Sequence, residues 1–470
     1  MTTLARPHQV PLDQRAVDEL VKSLNGELIR PGDRGYDQHR RVWNGSIDRH
    51  PALIVRCADV ADVRSAMGFA RAQDVRVAVR GGGHSFPGYS TCDGGMVIDL
   101  SLMKGIRVDP AARTARVQAG ALLGELDRAT QAFGLAVTTG IVTHTGVAGL
   151  TLGGGIGWIM RKHGLSIDQL VSVDVVTASG DLVRASTEEN PDLFWGVRGA
   201  GANFGVVTEF EFRCVPLATT VLAGPLLWPI ARSGDVLRFY REWVAEAPDE
   251  LMTILVHRKA PPLPFVPEDL RGTPVVMVVC CWIGDREEGE RFLRPLRQFG
   301  SPVVDLCTPK PFLDHQAMFD PSFPPGRWYY FKSCDVAELS DDVIDVTVDH
   351  ASRISSPLTA FPIWQMGGAV SRVGNDETAF NGRSAGFTYN IGACTESATG
   401  FDEERQWVRD FWSALTPWHD GVYVNFLGSE GVDRVRQAYG DDKFAKLQAL
   451  KDKYDPENVF RSNQNIPPSE

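Results

Sequence analysis

Apolar positions recur with two different spacings near the start of the chain. Between residues 60 and 70 they repeat every three or four residues, which predicts a helix with one buried face. Short apolar runs at residues 53–57 and 75–79 flank this helix, and the second run alternates with polar residues as a strand does. The pattern predicts a strand–helix–strand unit, which is a building block of α/β domains.

The same two spacings predict the elements that follow, up to residue 212. Strands are expected at residues 97–100, 114–118, 170–178, 182–185 and 206–212, and a helix at residues 122–133. Ser179, Gly180 and Asp181 separate two of these strands. Because this composition is typical of a tight turn, the two strands are predicted to form a hairpin.

After about residue 215 the pattern changes to longer strands separated by amphipathic helices. Strands are expected at residues 274–283, 328–333, 358–367 and 385–391, and helices at residues 285–299, 341–354 and 444–453, with a further helical stretch from about residue 401. This pattern predicts a second domain, an antiparallel sheet covered on one side by helices. With no low-complexity linker in the sequence, the domains are expected to be tightly docked.

Composition and charge disfavour several classes of protein and of partner. The chain has 470 residues, of which 43% are apolar, and a net charge of −11 that disfavours nucleic acid as a partner. Its longest apolar run, residues 274–283, is far shorter than the roughly 20 residues of a membrane span. The first 20 residues lack the apolar core and small-residue cleavage site of a secretory signal, so we expect a cytoplasmic protein.

Common signatures of metal sites and of other catalytic chemistries do not occur in the sequence. The eight cysteines include no C-x-x-C pair, and there is no H-E-x-x-H helix or G-x-S-x-G turn. We therefore expect reduced cysteines and no metal.

Glycines gather in three clusters, at residues 81–83, 140–157 and 199–205. Closely spaced glycines leave backbone N–H groups free to bind phosphate, whereas a single cluster is more often only a tight turn. Three clusters favour a ligand. None of them matches the G-x-G-x-x-G fingerprint of a dinucleotide fold or the G-K-[ST] ending of a P-loop, which disfavours both.

A series of motifs in a fixed order accompanies the clusters. It consists of Arg80-Gly-Gly-Gly-His84-Ser85 with Gly88, Gly146-x-x-Gly149-x-x-x-Gly153-Gly-Gly155-x-Gly157, Arg198-Gly199-x-Gly201-x-Asn203-Phe204-Gly205, Tyr423-x-Asn425-Phe426 and Lys451-x-Lys-Tyr454-Asp-Pro456-x-Asn458. This series closely resembles the FAD-linked oxidases of the berberine bridge enzyme-like group, within the vanillyl-alcohol oxidase (PCMH-type FAD-binding) superfamily. The resemblance extends from about residue 53 to residue 468.

The resemblance implies an α+β fold in which a split FAD-binding domain, made of two α/β subdomains, surrounds an inserted substrate domain. The expected segments are residues 1–217 for the first part of the FAD-binding domain, 218–407 for the substrate domain, and 408–470 for the return to the FAD-binding domain. The antiparallel sheet of the substrate domain would then form a roof over the flavin.

The resemblance also implies FAD as the cofactor and assigns its contacts. The expected contacts are Arg80, Gly81, Gly82, Gly83, His84, Ser85, Gly88, Thr145, Gly146, Gly149, Gly153, Gly154, Gly155, Gly157, Gly205, Val207, Asn425 and Asn458. His84 matches the histidine that is bonded covalently to the flavin. Val142 stands where many members have a second linking cysteine, so a single link is predicted. Thr145 matches the position that gates oxygen in this group, where it replaces the usual aliphatic residues.

Catalysis in this family joins proton removal with hydride transfer to the flavin, so the roof is expected to carry a base and a positioning group. Tyr330 and Lys332 share one face of a predicted strand, and Gln365 and Tyr423 lie in other apolar segments. Lys332 and Tyr423 are the favoured candidates, although a strand Tyr or Lys is usually part of the packing.

The resulting hypothesis is an oxidase that acts on an alcohol or amine carbon of a small, ring-containing substrate, with dioxygen as re-oxidant. The alternatives are an FAD-dependent dehydrogenase or cyclising flavoprotein of secondary metabolism that uses another acceptor, and, more remotely, a non-flavin ligand-binding α/β protein. A monomer or homodimer is expected, with no nucleic acid or membrane partner.

Overall fold

The computed structural model describes residues 12–469 and shows the predicted α+β architecture. Most of the segment considered for a leader, residues 1–11, lies outside this range. Within residues 12–469, none of the helices combines the length and apolarity that a bilayer span requires.

The first sheet contains the predicted strand–helix–strand unit. Its strands and the neighbouring helices are β1 (Glu27–Ile29), β2 (Leu53–Arg56), β3 (Val77–Arg80), β4 (Met96–Asp99), α1 (Gln14–Ser23), α2 (Tyr36–Arg40) and α3 (Val60–Ala72). The strand order is β1-β2-β4-β3, with β2 and β3 parallel to β4. The Asp59 side chain caps α3 by accepting a hydrogen bond from the backbone N–H of Asp62. The first glycine cluster follows β3 directly.

The second sheet is antiparallel. Together with the first sheet and the glycine clusters it forms the part of the molecule called here the glycine-rich half. The elements of this region are β5 (Ile106–Asp109), β6 (Thr114–Gln118), β7 (Leu135–Ala136), β8 (Leu170–Val176), β9 (Leu182–Ser186), β10 (Val206–Arg213), β11 (Val215–Pro216), α4 (Leu123–Gln131), α5 (Val147–Leu152), α6 (Met160–His163) and α7 (Pro191–Val197). The order of the five-stranded sheet is β5-β6-β10-β8-β9, while β7 pairs with β11. The predicted hairpin is confirmed, because β8 pairs with β9 and Gly180 adopts a φ of +87° between them.

The large antiparallel sheet forms the roof of the molecule. Its strands are β12 (Thr220–Pro229), β13 (Leu251–Lys259), β14 (Pro274–Trp282), β15 (Val304–Asp305), β16 (Thr308–Pro311), β17 (Trp328–Val336), β18 (Ala360–Gln365) and β19 (Phe387–Thr395). The order is β15-β12-β14-β13-β18-β19-β17, and β16 also pairs with β12. β12 and β13 were not among the predicted strands, although both carry apolar runs.

Helices cover one face of the roof, as predicted. The helices of this half are α8 (Ser233–Ala245), α9 (Arg286–Gln298), α10 (Phe312–Gln316), α11 (Asp341–Ser352), α12 (Ala369–Arg372) and α13 (Phe401–Ala414). Apolar side chains of α8, α9, α11 and α13 share one core with the roof strands, represented by Leu237, Leu293, Ile344 and Phe411. The other face of the roof is directed towards the glycine-rich half.

After α13 the chain returns to the glycine-rich half through α14 (Val432–Tyr439) and α15 (Asp441–Tyr454). Lys451 on α15 is completely buried, and its ammonium group donates to the Asp455 carboxylate and to the backbone carbonyl of Asn203. α13 packs on β17 and β19 and runs across the expected boundary at residue 407. The boundaries near residues 217 and 407 stay a prediction.

Short 3₁₀ helices complete the described structure. They span Ser166–Gln169, Ile230–Arg232, Glu268–Leu270, Asp320–Ser322, Asn375–Glu377, Thr416–Trp418 and Val424–Phe426. The last of them lies in the predicted Tyr423-x-Asn425-Phe426 motif, between the roof and the glycine-rich half.

Candidate active site

A cavity of about 320 Å³ lies between the glycine-rich half and the roof sheet. Its floor is formed by residues 81–85, 140–153 and 200–202, and its roof by residues of β13, β17, β18 and β19. Its side walls are formed by residues 423–427 and 462–464. Concave sites of this kind between two layers are the usual places for small-molecule binding.

Two glycine clusters meet on the floor. A Cβ atom on Gly82 would lie 2.3 Å from the backbone nitrogen of Gly146, and the reverse substitution would clash equally, so only glycine permits this contact. Gly83 and Gly201 adopt φ values of +72° and +69°, and a Cβ atom on either of them, or on Gly149, would meet no atom within 4 Å. These three glycines therefore leave room on the floor that side chains would fill, which fits a phosphate-bearing cofactor.

His84 is half-buried at the edge of this glycine floor. Its Nε2 lies 2.7 Å from Nδ1 of His144, its Nδ1 lies 3.3 Å from the Thr145 hydroxyl, and its ring stacks on Trp43 at a centroid distance of 4.8 Å. Burial, followed by the proximity of His144, lowers the pKa of His84 to about 3. The imidazole is therefore neutral at physiological pH, the state in which a ring nitrogen can act as a nucleophile.

Trp43 and His144 both contact His84, the first by stacking on its ring and the second through Nε2. The sequence offered no signal for Trp43, which lies outside every predicted element. His144 lies within the second glycine cluster, where nothing in the sequence marks a role for it. Their roles depend on contacts between segments that are far apart in the chain.

Ten of the residues expected to contact FAD line the cavity. They are Gly81, Gly82, Gly83, His84, Ser85, Thr145, Gly146, Gly149, Gly153 and Asn425. Val142, the residue at the position of the second linking cysteine, lines the same floor. The structure therefore brings the first two glycine clusters and the C-terminal motif to one place.

Arg80, although next to the floor, does not line the cavity. It is buried, and its guanidinium group donates to the backbone carbonyls of His39 and Ser90 and lies 3.7 Å from the Asp99 carboxylate. The expectation that Arg80 contacts the cofactor is therefore corrected: its side chain points away from the floor and binds the end of α2 and the backbone at Ser90.

Seven further expected contacts also lie away from the cavity wall, namely Gly88, Gly154, Gly155, Gly157, Gly205, Val207 and Asn458. The five glycines are required by packing, because a Cβ atom on each would approach a neighbouring atom to 2.8 Å or less. Val207 is buried in β10, and Asn458 forms the turn after α15 with a φ of +51°. These residues shape the floor from behind.

Tyr423 lines the side wall and is almost completely buried. Its hydroxyl oxygen accepts hydrogen bonds from the backbone N–H of Gly155 and from the Asn425 side chain, both at 2.9 Å. Burial raises the pKa of Tyr423 more than these two donors lower it. The phenol therefore stays protonated, and since its O–H has no acceptor among the described residues, it can donate into the cavity.

Lys332 and Tyr330 do share one face of β17, but it is the face away from the cavity. Phe331 between them lines the cavity, and successive side chains of a strand point to opposite faces. The Lys332 ammonium group lies 2.5 Å from the Glu430 carboxylate and 3.9 Å from the centre of the Trp412 ring. The expectation that Lys332 and Tyr330 face a substrate is therefore corrected, because the register places both under the covering helices.

Gln365 is turned away from the cavity for the same reason. Its neighbour Trp364 lines the cavity, whereas the Gln365 carbonyl oxygen accepts a hydrogen bond of 2.7 Å from the Thr253 hydroxyl on the helix-covered side. Of the four residues expected to be catalytic, the structure brings only Tyr423 to the cavity.

The cavity face of the roof carries residues that the sequence did not single out. Arg258 on β13 and Asn390 on β19 supply its polar groups. Aromatic rings surround them, from Phe319, Phe323, Phe331, Trp364 and Phe426. Arg258 lies near the end of β13, a strand that was not predicted, and the apolar run around Asn390 does not indicate which face of its strand is covered.

Comparisons with known proteins agree with this geometry. Residues 51–186 match the FAD binding domain family, and residues 422–467 match the family described as Berberine and berberine like. The chain is 33% identical to an FAD-linked oxidoreductase of Dictyostelium discoideum, over 96% of this chain and 97% of that protein. It is 31% identical to the (R)-6-hydroxynicotine oxidase of Paenarthrobacter nicotinovorans, over 95% and 97%.

A solved structure shows the same architecture. The crystal structure of 6-hydroxy-D-nicotine oxidase from Arthrobacter nicotinovorans superposes with a TM-score of 0.86 at 30% identity, covering 95% of this chain and 99% of that chain.

Proposed function

We propose, from the premise that the chain belongs to the berberine bridge enzyme-like family of FAD-linked oxidoreductases, that it is an oxidase of a small, ring-containing alcohol or amine. The observation that carries the proposal is the juxtaposition of the glycine floor, His84 and Tyr423 around one cavity. When bound, FAD supplies a two-electron acceptor for a hydride from the substrate carbon, while the oxygen or nitrogen of the substrate releases a proton.

The floor residues are proposed to hold FAD. Backbone N–H groups of the first two clusters would bind the pyrophosphate, and Gly83, Gly149 and Gly201 leave the space that the cofactor needs. Asn425 sits between the floor and Tyr423, since its amide donates both to the Leu150 carbonyl and to the Tyr423 hydroxyl. This pair of bonds orients the phenol towards the cavity.

His84 is proposed to form a single covalent bond to the C8 methyl carbon of the flavin. His84 would hold the flavin covalently through this bond, and its imidazole would give up its N–H hydrogen. The neutral state of His84 supports its role as the nucleophile. Val142 has no nucleophilic group, so no second bond is expected from that position.

Tyr423 is proposed to position the substrate by donating a hydrogen bond from its hydroxyl group to the oxygen or nitrogen next to the reacting carbon. Of the described residues that line the cavity, none is Asp, Glu or Lys. A carboxylate or lysine base is therefore not part of the proposal, and the substrate proton is released to solvent water.

The test is the visible spectrum of the purified protein, followed by acid precipitation. Yellow colour that stays in the pellet is expected for the wild type, and colour that is released to the supernatant is expected for His84→Ala. His163→Ala serves as the control, because His163 does not line the cavity and its loss should leave the flavin bound. Wild-type protein that releases all its flavin contradicts the covalent bond, and colourless protein that FAD does not reconstitute contradicts the function.

A dehydrogenase that uses another electron acceptor is a second candidate, favoured by one observation. Thr145, at the position that gates oxygen in this group, presents a hydroxyl beside His84. The two candidates are separated by reducing the flavin without oxygen and then admitting air. Reoxidation within seconds supports an oxidase, whereas reduction that persists for minutes supports a dehydrogenase.

A further inference from the structure

Arg258 is a cation in a mostly apolar roof. Among the described residues that line the cavity it is the sole Lys or Arg, and none of the others is Asp or Glu. One guanidinium nitrogen, Nη1, donates to the Ser322 hydroxyl at 3.0 Å, and Nε donates to the backbone carbonyl of Lys259 at 3.2 Å. Its Nη2 has no hydrogen bond, and Arg258 has no ion pair, within the described part of the chain.

Asn390 is a second polar group without a partner on the same face. It is 6% exposed, and its side-chain carbonyl oxygen has no hydrogen bond within residues 12–469. Leaving a buried amide group unpaired destabilises a protein. Its presence at the cavity wall is therefore accounted for if a ligand completes its hydrogen bonds.

The register of the roof separates these two groups by one strand. Arg258 on β13 lies opposite Ala360 on β18, and β19 with Asn390 is the next strand. Asn390 also lies two positions further along the sheet than Arg258, because its neighbour Tyr389 pairs with Ile363 on β18. Two strand spacings and two residues along a strand amount to roughly 12 Å. Phe331 and Trp364 line the same face with aromatic rings. The face is shaped for a flat molecule with a polar group at each end.

We propose that the substrate carries a carboxylate that binds Arg258 and Ser322, with a ring held under the aromatic residues and a second polar group near Asn390. This inference rests on the proposed function, since it names the substrate class of the same site. A guanidinium group binds a carboxylate through two parallel hydrogen bonds, and no acidic residue of the described cavity wall repels the anion. The half-buried position strengthens this attraction.

The test compares benzoate with benzamide, its neutral counterpart of the same shape, by isothermal titration calorimetry on the FAD-loaded protein. Wild-type protein is expected to bind benzoate at least about tenfold more tightly than benzamide, because a charge-assisted hydrogen bond is stronger than a neutral one. In Arg258→Met the two affinities should become equal within about twofold.

Lys259→Met is the matched control. It removes the same charge from the adjacent position of β13, where the side chain points to the other face and donates to the Ser355 carbonyl. The control should keep the preference for benzoate. Equal affinities in the wild type, binding of neither probe, or an unchanged preference in Arg258→Met overturns the proposal.

The wild-type comparison decides the question even if Arg258→Met does not fold. Failure of the proposed function is seen separately, as protein that is colourless and does not take up FAD. Yellow protein without a preference for benzoate overturns the carboxylate inference alone.

Discussion

The two faces of the roof sheet are built from the same strands, yet the polar side chains on them differ in their hydrogen-bond partners. On the face under the helices, Gln365 is hydrogen-bonded to Thr253, and Lys332 is paired with Glu430. On the cavity face, the amide carbonyl of Asn390 has no partner within the described residues. Both faces are buried, so burial alone does not distinguish them.

The difference lies in what satisfies the polar groups. A buried polar group is ordinarily paired inside the protein, because leaving it unpaired costs free energy. Lys332 and Gln365 on the helix face follow this rule, which marks them as structural residues. The cavity face departs from it at Asn390, and such departures are expected where a ligand supplies the missing partners.

The largest expected effect compares Tyr423 with Lys332. Tyr423→Phe removes the hydrogen-bond donor that positions the substrate at the cavity wall and should slow flavin reduction about 100-fold, the size of effect that misplacing a reacting group can have. Lys332→Met changes only the helix face and should alter the rate less than twofold. The measurement is stopped-flow reduction without oxygen, with a substrate found by screening ring-containing alcohols and amines. An equal loss in both variants would mean that the two faces are not functionally distinct.

The next effect concerns Asp335 on β17. Its side chain points to the same face of the sheet as Phe331, which lines the cavity, but Asp335 itself lies beyond the end of the cavity. Burial raises its pKa to about 7, against about 3.9 in an unfolded chain. Between these two pH values only the folded protein holds the proton, so stability falls as pH rises, by up to about 1.4 kcal/mol per pH unit, and levels off above pH 7.

Asp335→Asn should remove this part of the pH dependence without changing flavin reduction. The amide oxygen can still accept the hydrogen bond that the Thr388 hydroxyl gives to Asp335. Urea unfolding between pH 5 and 8 measures the slope, and Asp342→Asn, at an exposed position of α11, should leave it unchanged. The same slope in wild type and Asp335→Asn would show that this carboxyl group does not titrate in the range.

The smallest effect compares leucine substitutions on the two faces, measured without substrate by urea unfolding. Asn390→Leu removes an unpaired amide and should raise the free energy of unfolding by about 1 kcal/mol. Gln365→Leu removes the partner of Thr253 and should lower it by about 1–3 kcal/mol. Changes of the same sign would contradict the distinction between paired and unpaired groups.

The glycine floor could be predicted because its requirements are local. Gly83 needs a left-handed backbone and no side chain, and His84 follows it in the chain, so motif and geometry stay together. The same holds for the Tyr423-x-Asn425 pair, which is linked by a hydrogen bond within three residues. Even here, Arg80 and Gly155 were expected to contact the cofactor but do not line the cavity, since a motif does not show which of its residues face the ligand.

The roof could be predicted only as an antiparallel sheet under helices. A strand that is apolar on both faces carries no alternation to show which face meets the cavity, and a shift of one residue exchanges the two sets. The expectations for Lys332 and Gln365 failed by such a shift. Arg258 and Asn390 were missed because nothing local marks them.

By itself, the sequence determined the fold class, the glycine floor and the position of His84, because these depend on backbone freedom and on neighbours in the chain. Tertiary structure decided which roof residues face the cavity and which polar groups stay unpaired there. Those properties depend on strand register and on contacts between residues up to hundreds of positions apart, such as Asn44 with Tyr329.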